Sequence, residues 1–381
     1  MGCRRASSCI TARLASSSSE LISAKPARSH VSRLHSTMKV LIVGGTGLIS
    51  TAITDQLVAR GDEVTVFNRG VTERRITKDV ATIKGDRWDY PAFERAFDGH
   101  SFDAVIDMFA FLPEDAQALV RTFWGRAKQV VVCSTVCAYG GPLTKVPATD
   151  DEPHRPVTGY GRNKSAIERT LLENDARQGT RATVLRPSYT IGEGATAGGV
   201  LFDDSTPERI RRGLPVIVHG DGTTKWATAH ASDVARGFVN SLLNERAFGQ
   251  AYHLTSDEHT TWNGVFEELG KALGKRPIIE HVPVDWLYAA APRRTIGPKF
   301  IYQYDSIFDN SKAARDLGFK TTVPLVETFR RQVAWMDKSG KTKKVEDEPF
   351  EDLLLAAYKQ GTTPKLPEGM DANPWGNQPT M

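Results

Sequence analysis

From Met38 onward, short apolar runs alternate with stretches in which apolar side chains recur every three or four residues. The run Val40-Leu41-Ile42-Val43 has no polar interruption, which fits a strand buried on both faces. Over 48–60, Ile49, Ile53 and Leu57 fall four apart and share one helix face, and Gly61 supplies the left-handed residue that ends it. The alternation continues with strands at 63–67, 82–83, 104–108, 129–134 and 182–186, and helices at 90–97, 114–123 and 160–174. Such βαβ regularity predicts an α/β fold, a Rossmann-type doubly wound parallel sheet covered by helices on both faces. After about residue 190 the pattern changes. Loops rich in Gly, Pro and Thr interrupt helices at 207–212, 232–244, 262–273 and 311–317, which predicts a smaller C-terminal lobe over the carboxyl edge of the sheet. We place the sheet domain at 38–190, the lobe at 191–350, partly interleaved with the sheet, and a tail at 351–381, loose from 362 on.

Composition changes the picture at the N-terminus only. The formal charge of +4 hides a division: residues 1–37 hold six bases and one acid, whereas the rest holds 43 bases and 44 acids. A balanced body argues against a surface that tracks phosphates along a nucleic acid. The Ser- and Arg-rich, acid-poor 1–37 has the composition of an organelle transit peptide, mitochondrial or plastid; the alternative is a true start at Met38 and a cytoplasmic protein, intracellular either way. No apolar run approaches the roughly 20 residues that span a bilayer, so no membrane partner is expected. The four cysteines form neither a disulfide framework nor a zinc spacing, so no metal is expected and a reducing compartment is the simpler reading.

Two constellations carry chemistry. The first strand runs into Gly44-Gly45-Thr46-Gly47-Leu48-Ile49-Ser50 and then a helix. A glycine-rich turn in that context lets backbone N–H groups and a helix N-terminus approach a pyrophosphate, so Gly44, Thr46, Gly47, Leu48 and Ile49 are read as dinucleotide-binding. The second strand ends in Asn68-Arg69, where an acid would favour NAD and a base can meet a 2′-phosphate; the cofactor is read as NAD(P), leaning to NADP. Ser50 stands where the turn's third glycine would be, which loosens helix-to-strand packing. Further on, Tyr160 and Lys164 are spaced i, i+4 and share a helix face. A phenol is a poor base at its usual pKa near 10, and an adjacent ammonium would bring it toward neutral. Thr135, at a strand end, is the hydroxyl that could hold a substrate oxygen.

Taken together, Gly44–Ser50, Gly85-Asp86, Ser134-Thr135-Val136-Cys137-Ala138-Tyr139-Gly140, Tyr160-Gly161-Arg162-Asn163-Lys164, Arg186-Pro187-Ser188, His230-Ala231-Ser232-Asp233, Asp309-Asn310-Ser311-Lys312-Ala313 and Leu317-Gly318-Phe319 resemble the NAD-dependent epimerase/dehydratase family of extended short-chain dehydrogenases/reductases, over roughly 39–335. The resemblance implies roles. Tyr160 would be the general acid/base, Lys164 the ribose-binding and pKa-lowering group, and Thr135 the hydroxyl on the reacting oxygen. Asp86 and Arg87 would face the adenosine, Met108 and Phe109 would line the cofactor, and Pro187-Ser188 would lie by the nicotinamide. Tyr189, Lys225, Trp226 and Lys299 would touch substrate in the C-terminal substrate lobe. It implies a small-molecule substrate, a sugar or nucleotide sugar, and a homodimer through helices near 114–123 and 160–174.

Departures accompany the likeness. Val136 and Cys137 replace the Asp-Glu pair of the dehydratases, which argues against dehydration. Trp226 stands where an arginine often binds sugar-nucleotide phosphates, with Lys225 beside it, and Lys299 falls near a second such arginine. Three functions follow: a sugar epimerase, a reductase of a small carbonyl compound, or an RNA-binding relative of the chloroplast stem-loop-binding type, to which Phe67-Asn68-Arg69-Gly70 is also similar. The retained Tyr160–Lys164 pair argues against the last. His230 and Asp233 are read as capping a helix, Trp226 and Trp262 as core in preference to lining a substrate pocket, and Cys137 as a small packed residue rather than a reactive thiol.

Overall fold

The computed structural model describes residues 37–71, 80–195 and 204–372. The transit-peptide reading of 1–36 and the last part of the tail, 373–381, lie outside the described residues. The first half is β1 (Lys39–Val43), α1 (Leu48–Arg60), β2 (Glu63–Asn68), β3 (Ala81–Lys84), α2 (Tyr90–Arg95), β4 (Ala104–Asp107), α3 (Pro113–Phe123), β5 (Gln129–Cys133), α4 (Gly159–Glu173) and β6 (Arg181–Pro187). The second is β7 (Tyr189–Ile191), α5 (Thr206–Arg212), β8 (Pro215–His219), β9 (Lys225–His230), α6 (Ala231–Ser241), β10 (Gln250–Leu254), β11 (His259–Thr261), α7 (Trp262–Leu273), β12 (Ile278–Val282), α8 (Val284–Ala290), α9 (Ser311–Leu317), α10 (Leu325–Lys338) and α11 (Phe350–Lys359).

Seven strands form one sheet in the order β10-β6-β5-β4-β1-β2-β3, every pair parallel. Alternation along β1 explains its unbroken apolar sequence. Val40 and Ile42 pack under α1 and α6, while Leu41 and Val43 pack on the other face against Phe93, Phe97 and Phe123. Each fully buried side chain of this kind contributes about 1.5–3 kcal/mol relative to exposure. Strand order reverses at β1, between β2 and β4. In a doubly wound sheet that opens a crevice at the carboxyl ends, where ligands bind.

The lobe has its own core, in which the rings of Trp226, Trp262 and Tyr302 meet at centroid distances of 4.6–5.1 Å. It is laced into the sheet: β10 pairs with β6, and α6 and α9 cover the face shared with α1. β10 went unread because His253 breaks its apolar run. His253 is buried by bonding Tyr139 Oη at 2.7 Å and the Asp309 carbonyl at 3.1 Å. The helix read to 244 stops at Ser241, since Leu243 turns to φ 51° and gives its N–H to Gln129 Oε1. The tail boundary at 351 is corrected as well. Phe350, Leu354 and Leu355 of α11 are buried in the lobe core, and Leu366 and Met370 pack against it, so ordered structure runs past the predicted end.

Candidate active site

The glycine-rich turn is built by local geometry. Gly44 has φ +88°, which favours glycine, and its N–H donates to the Phe67 carbonyl at 2.9 Å. Ser50 does not loosen the turn. It is buried; its hydroxyl accepts from Gly47 N at 2.8 Å and donates to the Gly44 carbonyl at 3.0 Å, tying the turn to the first helical residues.

Above the turn lies a crevice of about 540 Å³. Gly44, Thr46, Gly47, Leu48, Ile49, Asn68, Arg69, Asp86, Arg87, Met108 and Phe109 line it, with Phe109 packed against Gly44. Tyr160 and Lys164 line it too. Asn68 Oδ1 accepts from Gly70 N at 2.8 Å, while its buried Nδ2 has no partner among the described residues. A buried amide N–H₂ left unpaired in a cleft suits a ribose hydroxyl. Asp86 is exposed at the rim, with Oδ1 accepting from Trp88 N.

The helix carrying Tyr160 and Lys164 is held by buried polar contacts. Thr158 Oγ1 caps it by accepting from Gly161 N at 3.1 Å. A Cβ on Gly161 would come within 2.4 Å of the Cys137 carbonyl, so only glycine allows α4 this close to the end of β5. One turn past Lys164, Glu168 receives Arg186 Nε at 3.0 Å and Nη2 at 2.5 Å, and also bonds Ser134 Oγ. Ends of β5 and β6 are thereby fixed to α4.

A second cavity, of about 260 Å³, opens beside the crevice. Thr135, Pro187, Ser188, Tyr189, Trp226 and Tyr302 border it, and Tyr160 lines both spaces. Lys164 Nζ donates to the Cys133 carbonyl at 2.7 Å and sits 4.7 Å from the Phe111 ring centre and 5.7 Å from that of Tyr160. Burial holds the Tyr160 phenol far above its ordinary value, reinforced by the Cys137 and Cys133 thiols and only partly opposed by Thr135. Burial likewise lowers the Lys164 ammonium. The expected lowering of the phenol by Lys164 is therefore not realised in the chain alone, because desolvation dominates and the ammonium is turned to a carbonyl.

The profile of the NAD dependent epimerase/dehydratase family matches residues 40–254. The chain belongs to that family. It is an NAD(P)-dependent enzyme with the family's Rossmann-like sheet. Among relatives, the 2′-dehydrokanamycin reductase of Streptomyces kanamyceticus is 28 % identical over 277 residues, covering 72 % of this chain and 77 % of the relative. The chloroplast stem-loop binding protein of 41 kDa b of Arabidopsis thaliana is 25 % identical over 343 residues, covering 84 % and 85 %. A UDP-glucose 4-epimerase from Thermotoga maritima, solved with UDP-glucose, shares the fold with a TM-score of 0.66 at 23 % identity, covering 79 % of this chain and 99 % of that one.

Within this family member, two expected residues lie away from both cavities, and a third is drawn inward. Arg87 borders the crevice, but its guanidinium is buried, bonding Asp107 Oδ2 at 3.1 Å and the Asp115 carbonyl at 2.7 Å. It builds the floor. Burial outweighs that pairing and holds the Asp107 carboxyl above the usual range. Lys299 does not border the second cavity; its ammonium pairs with Asp285 at 2.6 Å. Lys225 is exposed and also absent from the lining. Phe111 and Tyr302 are the residues that sequence reasoning missed. Phe111 sits two beyond Phe109 after β4, a readable position, whereas nothing near Tyr302 in the chain marks it. His230 caps α6, bonding Ser232, and meets Glu193 at 3.0 Å. Among the described residues no three metal-ligating side chains converge, and no helix is long and apolar enough to cross a membrane.

Proposed function

We propose that this chain transfers hydride reversibly between NAD(P) and a secondary alcohol of a sugar, acting as an epimerase. The observation that carries the reading is Tyr160 on the boundary of the two cavities, with Thr135 on one side and Lys164 on the other. The glycine turn and the unpaired Asn68 amide fit a dinucleotide in the crevice. When bound, NAD(P) supplies the hydride acceptor and donor. Tyr160 takes the hydroxyl proton of the substrate and later returns it; Thr135 holds the same oxygen; Lys164 holds the ribose next to the nicotinamide. Retaining the carbonyl compound while it turns over would present its opposite face to the returning hydride.

Arg69 at the rim, and the absence of an acid at the end of β2, favour NADP over NAD. The family likeness of α3 and α4 supports a homodimer, to be checked by light scattering. Tyr160 and Lys164 support an enzyme over an RNA-binding protein. The purified protein tests the reading through its absorbance near 340 nm during sugar turnover. A transient signal that returns to baseline supports an epimerase. Stoichiometric loss of added NADPH assigns a net reductase, and no cofactor uptake with tight RNA binding overturns the proposal.

A further inference from the structure

The second cavity has an unusual lining for a site expected to take a nucleotide sugar. Among the described residues it holds hydroxyls, aromatic rings, aliphatic groups and thiols, and no Lys, Arg, Asp or Glu. Residues 196–203, outside the described ones, contain no Lys or Arg either. The cations that could serve it are engaged or turned away. Lys299 pairs with Asp285, Arg331 with Glu327 at 2.9 Å, and Arg186 with Glu168, while Lys225 is exposed outside the lining. Lys164, next to Tyr160, is turned to the Cys133 carbonyl, and acids stand on the outer side. Asp204 lies close enough to Tyr189 to act on its phenol, and Glu193 stands two residues beyond β7. A diphosphate brought here would lose water without gaining a cation, which is strongly unfavourable.

The lining offers something else. The indole Nε1 of Trp226 and the hydroxyl of Ser188 are buried and have no partner among the described residues. Both residues border the cavity, beside Tyr302 and the Thr135 hydroxyl. Unpaired neutral donors next to aromatic rings suit the hydroxyl, ether and carbonyl oxygens of an uncharged ring. The volume, about 260 Å³, is below the roughly 300–1,000 Å³ usual for drug-sized ligands, which suits one sugar-like ring better than a ring carrying a nucleoside diphosphate.

We infer that the substrate is an uncharged cyclic polyol or its ketone, without a phosphate group, and that Trp226 is the residue that sets this specificity. The inference rests on the proposed reading of the second cavity as the substrate site beside Tyr160. Trp226 bounds the ring-binding space with a neutral aromatic side chain where a diphosphate would need positive charge.

The test begins with the full chain titrated with NADH, followed by fluorescence. Failure to bind sinks the dinucleotide reading itself. The NADH-saturated protein is then titrated with UDP and UDP-glucose by calorimetry, and NAD(P)-linked oxidation is surveyed with methyl glycosides and cyclic polyols. The expected result is no saturable UDP or UDP-glucose binding up to about 1 mM, with turnover confined to uncharged compounds. Saturable UDP binding below that concentration overturns the inference and leaves the hydride-transfer reading standing. Trp226→Arg should improve UDP affinity at least about tenfold; a folded variant with no gain shows that charge does not decide specificity and also overturns it. Should that variant not fold, the wild-type titration decides alone.

Discussion

The two cavities that meet at Tyr160 are made in different ways. The crevice is assembled from the ends of consecutive parallel strands, where β1, β2, β4 and β5 each deliver one or two residues to the same edge. Its chemistry is polar and charged, with Asn68, Arg69, Asp86 and Lys164 around a backbone turn. The neighbouring cavity takes residues as far apart as Thr135 and Tyr302 and is uncharged. Sheet topology forces the first arrangement, since any doubly wound sheet opens there. The second depends on how one lobe packs over that edge. The crevice is thus inherited with the fold, whereas the second cavity takes its outer boundary from lobe side chains, Trp226, Ile301 and Tyr302.

Mutating Tyr160, which borders both cavities, should give the largest effect. Tyr160→Phe is expected to lower kcat by about 10²–10⁴-fold while NADH affinity changes only a few-fold, measured by steady-state turnover and fluorescence titration. An unchanged kcat would remove the phenol from the proton step. Arg87→Met strikes the crevice alone. It leaves the Asp107 carboxylate buried without its cation, so unfolding should become easier by about 3–5 kcal/mol in denaturant titrations, with NADH affinity falling alongside. A midpoint equal to wild type would mean that the pair is not holding the floor.

A pH series probes the boundary more gently. Because burial holds the Tyr160 phenol above its ordinary value, its phenolate fraction grows about tenfold per pH unit through the neutral and alkaline range. Alcohol oxidation should therefore accelerate with rising pH, while ketone reduction, which uses the protonated phenol, stays flat from about pH 6 to about pH 9. A flat oxidation profile would place the proton elsewhere. The smallest effect is expected at the exposed rim: Arg69→Ala should reduce the preference for NADPH over NADH by roughly three- to tenfold, more at low salt. No change in the ratio would take Arg69 out of cofactor selection.

The contrast between the cavities also decides what could be read in advance. The turn at Gly44, the pair Tyr160–Lys164 and the strands β1, β4 and β5 announce themselves through local spacing; Lys164 lines the crevice, Thr135, Pro187 and Ser188 line the second cavity rather than the crevice, and Tyr160 borders both. Arg87 borders the crevice as expected of it, but a sequence position at a strand end does not say which way a guanidinium turns, and here two buried acceptors draw it inward. Ser50 misled because a missing glycine was weighed by volume rather than by the two hydrogen bonds its hydroxyl makes. β10 and Tyr302 were silent because their places depend on partners distant in the chain, Tyr139 for His253, 114 residues away, and Trp226 with Trp262 for the phenol ring.

The return of β10 to β6 has a practical corollary. A fragment cut near residue 190 would leave the flank of β6 open, with free N–H and C=O groups inviting another chain to zip onto it. It would also strip α6 and α9 from the apolar surface they share with α1. Neither half can be borrowed as a stand-alone cassette, so any chimera that transplants one recognition surface onto a foreign scaffold must carry 231–254 and 311–319 along with the strands they seal.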